Sequence, residues 1–386
     1  MDSHALASVL RLFAVAGGEL RLSDGRPVTA LAAAVPTPFF VYDRAVATAR
    51  YGRLRAAVGE QVCVHYAVKA NPHPELVVHF HALGAGFDVA SRRELETVLA
   101  AGAPPDRVGF AGPGKSADEI GLAIDRRLGA LSIESARELE LADRMAAARG
   151  TAVNVMLRLN PPFGLRRARM QMGGGASPFG IDAEQIPALL GEMRRRNSVR
   201  LKGFHVFAGS QNLDAALLGQ FVRATLELLR DLAAAWGAPL DWINLGGGLG
   251  IPYHAADREL DVENFGRALA RELERHRGWL SETRILLESG RYLVGECGVY
   301  VTRVRYLKTS RGRRYAVVDG GLHHHLAATG HLGMVVHRNY PIAVLNRMGE
   351  AVRHAYHIAG PLCTPLDVLG EDVALPELEE GDLIGV

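Results

Sequence analysis

Eight short apolar runs, each followed by a helical pattern, set the strongest limit on what this chain can fold into. The strand-like runs are 62–68, 86–89, 107–111, 130–134, 153–159, 201–207, 241–245 and 284–288. Helical spacing fills the gaps at 92–101, 116–126, 136–148, 182–195, 213–236 and 262–277. Eight strand–helix units is the count of a (β/α)8 TIM barrel. Periodicity alone does not tell closure from an open edge, so a doubly wound open sheet stays as the competing α/β arrangement.

Past residue 295 the long helical patterns stop. Candidate strands at 298–307, 314–319, 340–345 and 354–359 predict a mostly-β C-terminal domain. The extended segment Pro36-Thr37-Pro38-Phe39-Phe40-Val41-Tyr42 assigns the N-terminal end to that same domain. The expected division is a barrel over 45–290 and a β-rich domain built from 1–44 and 291–386.

With 44 Lys and Arg against 42 Asp and Glu, the net charge of +2 gives no electrostatic case for a nucleic-acid partner. Arginines cluster at Arg166, Arg167 and Arg169 and again at Arg194, Arg195 and Arg196, the second group reading as a solvated face. Three cysteines, Cys63, Cys297 and Cys363, are too few for a disulfide framework and fit a reducing compartment. The first residues read as a short amphipathic helix, and no run approaches the ~20 apolar residues of a membrane span. The expectation is a cytoplasmic protein with no membrane or metal requirement.

Barrel chemistry is built at the C-terminal ends of the strands. Lys69 follows the first strand and Asp88 and Ser91 lie at the second. Arg158 ends the fifth, and His205, Phe207 and Ser210 end the sixth. Gly246-Gly247-Gly248 follows the seventh, and Glu288 and Arg291 come with the eighth. A lone lysine at a strand end mostly carries its head to solvent. Stripped of water, it is the nucleophile a Schiff base needs. The glycine run lets backbone N–H groups approach an anion, although tight turns also use such runs. It does not complete G-x-G-x-x-G, which argues against a dinucleotide. A carboxylate such as Glu288 at a strand end can keep a pyridine nitrogen protonated. Lysine, glycine turn and Glu/Arg on one rim specify pyridoxal 5′-phosphate better than any one of them alone.

These residues resemble the fold-type III pyridoxal phosphate decarboxylases, the diaminopimelate, ornithine and arginine decarboxylase group, whose barrel is alanine racemase-like. The matching runs are Tyr66-Ala67-Val68-Lys69-Ala70-Asn71, Gly86-Phe87-Asp88-Val89-Ala90-Ser91, Gly209-Ser210-Gln211, Gly246-Gly247-Gly248, Glu288-Ser289-Gly290-Arg291-Tyr292 and Gly360-Pro361-Leu362-Cys363. The resemblance implies an amino-acid α-decarboxylase with Lys69 in Schiff-base linkage to the cofactor and Glu288 at the pyridine nitrogen. Asp88 and Arg158 would line the cofactor site, and Ser210, Gly246–Gly248 and Arg291 would hold the phosphate. It further implies a homodimer with shared sites, in which Cys363 reaches the other subunit's barrel and helps return the proton, with His205 as a further catalytic candidate.

Three departures from the family pattern matter. Phe207 stands where the family's second His stacks on the cofactor ring, so stacking survives and a hydrogen bond is lost. Thr364 replaces the acid that binds a distal amine, which sets free diaminopimelate and ornithine in doubt. The sequence ends at Val386, before the family's Gly-Ala-Tyr, leaving open a shortened chain or a missing phosphate contact. The Cys363-Thr364-Pro365-Leu366-Asp367 run, with Met172-Gly173-Gly174-Gly175, is similar to an exosortase-associated or carrier-protein-linked branch. An acyl or peptidyl carrier protein is then an expected partner, and Arg166 and Arg169 with Thr364 are the substrate-binding candidates. Diaminopimelate decarboxylase proper, an amino-acid racemase and a non-catalytic pyridoxal phosphate binder are the alternatives. Glu288 weighs against the racemase, because alanine racemases carry an Arg there.

Overall fold

The computed structural model describes residues 11–164, 170–171, 173–207, 209–254, 256–330 and 338–386. Arg166, Arg167, Arg169, Met172 and the expected N-terminal helix lie outside the described residues. The chain forms two compact units. One comprises residues 48–251 and 259–295, the other residues 1–47, 252–258 and 296–386.

The first unit is the barrel. Its strands are β1 (Val62–Ala67), β2 (Gly86–Val89), β3 (Val108–Phe110), β4 (Ala130–Ile133), β5 (Val153–Asn160), β6 (Val199–Val206), β7 (Trp242–Asn244) and β8 (Arg284–Ser289). Each pairs in parallel with the next, and β8 pairs with β1, so the ring closes. Closure removes the open-sheet alternative. The strands are buried almost throughout, as expected when side chains fill the inside and helices cover the outside. The crossover helices start where short polar residues satisfy the first free N–H groups. Ser91, Ser116 and Ser135 cap the helices Arg92–Ala100, Ala117–Asp125 and Ala136–Ala148, and Asp214 caps Ala215–Trp236. Ser91 is therefore a cap rather than a site group. The second arginine cluster is only partly a solvated face: Arg194 donates to Ala235 O and Trp236 O at 2.6 Å each, and Arg196 pairs with Asp143 at 2.8 Å.

The second unit is a seven-stranded sheet. Its long strand β9 (Gly298–Ser310) pairs antiparallel with β10 (Arg313–Val318) and with the segment Phe39–Tyr42. β10 runs parallel to β11 (His354–Ala359), which pairs with β12 (Val368–Leu375). β13 (Leu383–Gly385) closes on β9. Tyr300, Val304, Val318, Ile358, Leu369 and Leu375 make its core. The expected strand at 340–345 shrinks to Ala343–Val344, and β12 and β13 were not legible as strands. Gly370-Glu371-Asp372 breaks the apolar run of β12, with Asp372 in the left-handed region at φ 48°, and β13 is only three residues long. No described helix is long and apolar enough to cross a membrane.

Candidate active site

Three neighbouring strands deliver a buried polar cluster to the C-terminal end of the barrel. His205 on β6 is in register with Asn244 on β7, and Glu288 lies on β8. Glu288 and His205 side chains are 2% and 1% exposed, with His205 Nε2 3.0 Å from Glu288 Oε1. Asn244 Nδ2 donates to the same Oε1 at 2.7 Å. On its other side, His205 Nδ1 lies 3.1 Å from Ser132 Oγ of β4. Burial works to raise the Glu288 carboxyl, but His205, Lys69 and Asn244 outweigh it and hold it far below the ordinary carboxylate range. Asp88 on β2 goes the other way. Burial and the Glu288 anion push its carboxyl well up. The two carboxyls are thus driven in opposite directions, Glu288 toward its ionised form and Asp88 toward its neutral one.

Lys69 sits above this cluster in a 3-10 turn, Val68–Ala70, that follows β1 directly. It is exposed, so the desolvated lysine of the sequence reading is not what the structure presents; the head is open at the rim. Its Nζ lies 5.2 Å from the Phe207 ring centroid. The turn after β8 closes in beside it. A Cβ at Gly290 would meet the Ala70 Cβ at 2.7 Å, so only glycine lets Glu288-Ser289-Gly290-Arg291 pass so near the lysine turn. Arg291 opens the short helix Arg291–Val294 from that point.

The glycine turn after β7 meets the same strand end. A Cβ at Gly247 would fall 1.9 Å from Glu288 O, which no other residue tolerates. Gly246 N donates to Asn244 Oδ1 at 2.8 Å. Gln211 and Asn212, following Ser210, brace the far side of the turn. Gln211 Nε2 donates to Ile251 O at 2.5 Å, and Asn212 N donates to Gly248 O at 2.9 Å. Gln211 adopts φ 63° to do so, an unusual conformation for a side-chain-bearing residue.

Arg158 on β5 is held by Glu134, Nη1 to Oε1 at 2.7 Å, with side chains 6% and 2% exposed. Glu134 also accepts from Gly112 N at 2.7 Å and Gly180 N at 3.1 Å. One carboxylate thus ties the loops after β3 and β5 to Arg158. Burial works to raise Glu134, and the Arg158 guanidinium outweighs it and holds it below its usual range.

The barrel therefore brings together Lys69, Asp88, His205, Phe207, Gly246, Gly247 and Glu288. Cys363 and Thr364 belong to the other unit, where Cys363 is exposed on a loop. That loop is anchored by Asp367, whose carboxylate accepts from Leu322 N at 2.5 Å and Leu362 N at 2.7 Å. The sequence reading missed Asn244, Ser132 and Glu134, and it gave Gln211 and Asp367 no role although both stand in the runs it singled out. Asn244 carried a signal, a lone amide in the apolar run of β7 two residues before the glycines.

The residues present fit pyridoxal phosphate on their own chemistry. An exposed lysine stands over a buried, ionised carboxylate, and Phe207 offers an aromatic face beside the lysine. The half-buried Gly247 and Gly248 N–H groups have no protein acceptor among the described residues, which suits an incoming anion. The comparisons agree. Residues 45–295 match the family model for the pyridoxal-binding domain of pyridoxal-dependent decarboxylases. The chain is 34% identical over 367 residues to the L-glutamyl-[BtrI acyl-carrier protein] decarboxylase of Niallia circulans, covering 94% of this chain and 86% of that protein. It is 32% identical to a diaminopimelate decarboxylase of Neisseria meningitidis, covering 93% and 85%. Among solved structures, a diaminopimelate decarboxylase of Helicobacter pylori complexed with L-lysine superimposes with a TM-score of 0.84 at 26% identity, over 93% and 87% of the two chains. SrLDC in complex with PLP and cadaverine superimposes at 0.77 and 25% identity, over 95% and 88%. With its closed barrel, its β-rich second unit and this rim of residues, the chain belongs to the pyridoxal-dependent decarboxylase family and is a lyase that uses pyridoxal phosphate.

Proposed function

We propose that this enzyme removes the α-carboxylate of an amino acid carried on an acyl-carrier protein, with a glutamyl group as the leading candidate. The observation that carries the decarboxylase part is Glu288, ionised and buried beneath the exposed Lys69. Two facts support the tethered substrate. The Niallia circulans relative is named for a glutamyl carrier-protein substrate, and Thr364 supplies no charge for a distal amine.

Pyridoxal phosphate, when bound, supplies the electron sink for the pair left behind as CO₂ departs. The chain's own residues do the rest. Lys69 would hold the cofactor covalently, and Phe207 would offer its ring a stacking face. Glu288 would serve the pyridine nitrogen, with His205 and Asp88 setting the charge and aim of its carboxylate. Gly246–Gly248, Ser210 and Arg291 would hold the phosphate, and Arg158, clamped by Glu134, would border the cofactor. His205 works through Glu288 from below, which makes it a positioning residue rather than a proton carrier. Cys363, contributed by a second copy of the chain, returns a proton to the product carbon, with Thr364 beside the substrate's far end. Arg166 and Arg169 engage the acidic carrier or a distal carboxylate. The enzyme works as a homodimer in the cytoplasm.

The test is CO₂ release from L-glutamyl-carrier thioester, free L-glutamate and diaminopimelate, with wild type and Lys69→Ala. Release from the thioester alone, abolished by Lys69→Ala, is the expected result. Release from free diaminopimelate instead would replace the tethered substrate with diaminopimelate. Release from none would overturn the decarboxylase assignment. Borohydride reduction of the holoenzyme, fixing cofactor in wild type and not in Lys69→Ala, checks the lysine independently of turnover.

A further inference from the structure

Asn244 is 1% exposed at the end of an otherwise apolar strand. An amide has a donor end and an acceptor end, and here the backbone settles which is which. Gly246 N–H can only donate, and it meets Asn244 Oδ1 at 2.8 Å. The Nδ2 group must therefore face the other way, and it donates to Glu288 Oε1 at 2.7 Å. The backbone repeats the link, with Glu288 N donating to Gly246 O at 2.7 Å. One side chain thus touches both the carboxylate beneath the lysine and the first residue of the glycine turn.

The contacts on Glu288 are one-sided. His205 Nε2 lies 3.0 Å from the same Oε1 that accepts from Asn244. A proton on Oε1 would collide with the amide hydrogen, so Asn244 favours the ionised carboxylate. Oε2 is left as the oxygen that carries neither of these contacts. The titratable groups around Glu288 are Asp88 from β2, His65 from β1, Lys69 from the turn after β1 and His205 from β6. Asn244 is the neutral member of that ring, so its effect does not change with pH.

We propose that Asn244 is a positioning residue that sets both ends of the pyridoxal phosphate site: it holds Glu288 ionised and aimed, and it braces the Gly246 turn against the phosphate. This rests on the cofactor placement proposed above.

Two variants separate its two ends. Asn244→Asp keeps an acceptor for Gly246 N–H and loses the donor to Glu288. Asn244→Ala loses both. The readouts are the affinities for pyridoxal phosphate and for pyridoxal, and the pH titration of the bound cofactor's absorption. For Asn244→Asp, the ratio of the two affinities stays as in wild type, while the titration midpoint moves and kcat falls about tenfold or more, the scale of a lost hydrogen bond to a charged group. For Asn244→Ala, the affinity for pyridoxal phosphate falls about tenfold further than that for pyridoxal, because only the former feels the turn. The near-isosteric Asn244→Asp keeps the test open if the alanine variant does not fold. Variants that bind both compounds and titrate as wild type does, differing only in melting temperature, would reduce Asn244 to a structural residue and overturn the proposal. A wild type that takes up no pyridoxal phosphate would instead overturn the cofactor placement on which it rests.

Discussion

His205 Nε2 stands 3.0 Å from Glu288 Oε1 although the two side chains come from strands that are not neighbours, with β7 between them. The contact spans the inside of the barrel over Asn244. It gives the Glu288 anion a buried partner in a place where an unpaired charge would not survive.

Replacing Glu288 tests what that pairing is for. Glu288→Gln preserves the shape and removes the charge. Turnover is expected to fall on the order of 100-fold or more, the usual scale for losing a preorganised electrostatic partner. The cofactor is retained in part, since Lys69 and the glycine turn are untouched. Steady-state kinetics beside cofactor content by absorption is the check, and near wild-type turnover would refute the role in electron withdrawal.

A pH dependence of stability follows from His65. Its ring is buried in the barrel, packed on Gly86 and edge-on to Trp242 at 6.2 Å. Burial lowers it from 6.5 to about 4. The folded protein keeps it neutral where the unfolded chain takes up a proton. Stability from this group is complete above the unfolded value and is lost as pH falls from there to the folded value, a loss of up to about 3 kcal/mol. His65→Phe should flatten the fall of the urea midpoint between about pH 6.5 and 4. An unchanged slope would place the acid sensitivity elsewhere.

Asp367 anchors the loop that carries Cys363 through two backbone N–H groups. Asp367→Ala leaves both part-buried donors without their charged partner. A stability loss of about 1–3 kcal/mol is expected, along with faster labelling of Cys363 by a thiol reagent. Thermal melting and labelling rates measure the two effects. A labelling rate equal to wild type would mean that the loop holds its shape without Asp367.

The order of the elements was legible in the sequence because strand and helix periods differ and the runs alternate cleanly. The eight barrel strands lie within two residues of where alternation put them. The rim candidates Lys69, Glu288 and the glycine run were legible because polar groups and glycines at the ends of buried strands have few packing reasons to be there. Closure of the ring was not, since pairing β8 with β1 joins residues more than two hundred positions apart and leaves no local pattern. For the same reason the partners could not be read: Asn244 under Glu288, Glu134 across Arg158 and Asp367 beneath the cysteine loop. Nor could a one-dimensional pattern say which of the Asp88 and Glu288 carboxyls is pushed up and which is held low. That depends on burial and on the cations and donors gathered around each carboxyl, which exist only once the barrel has closed.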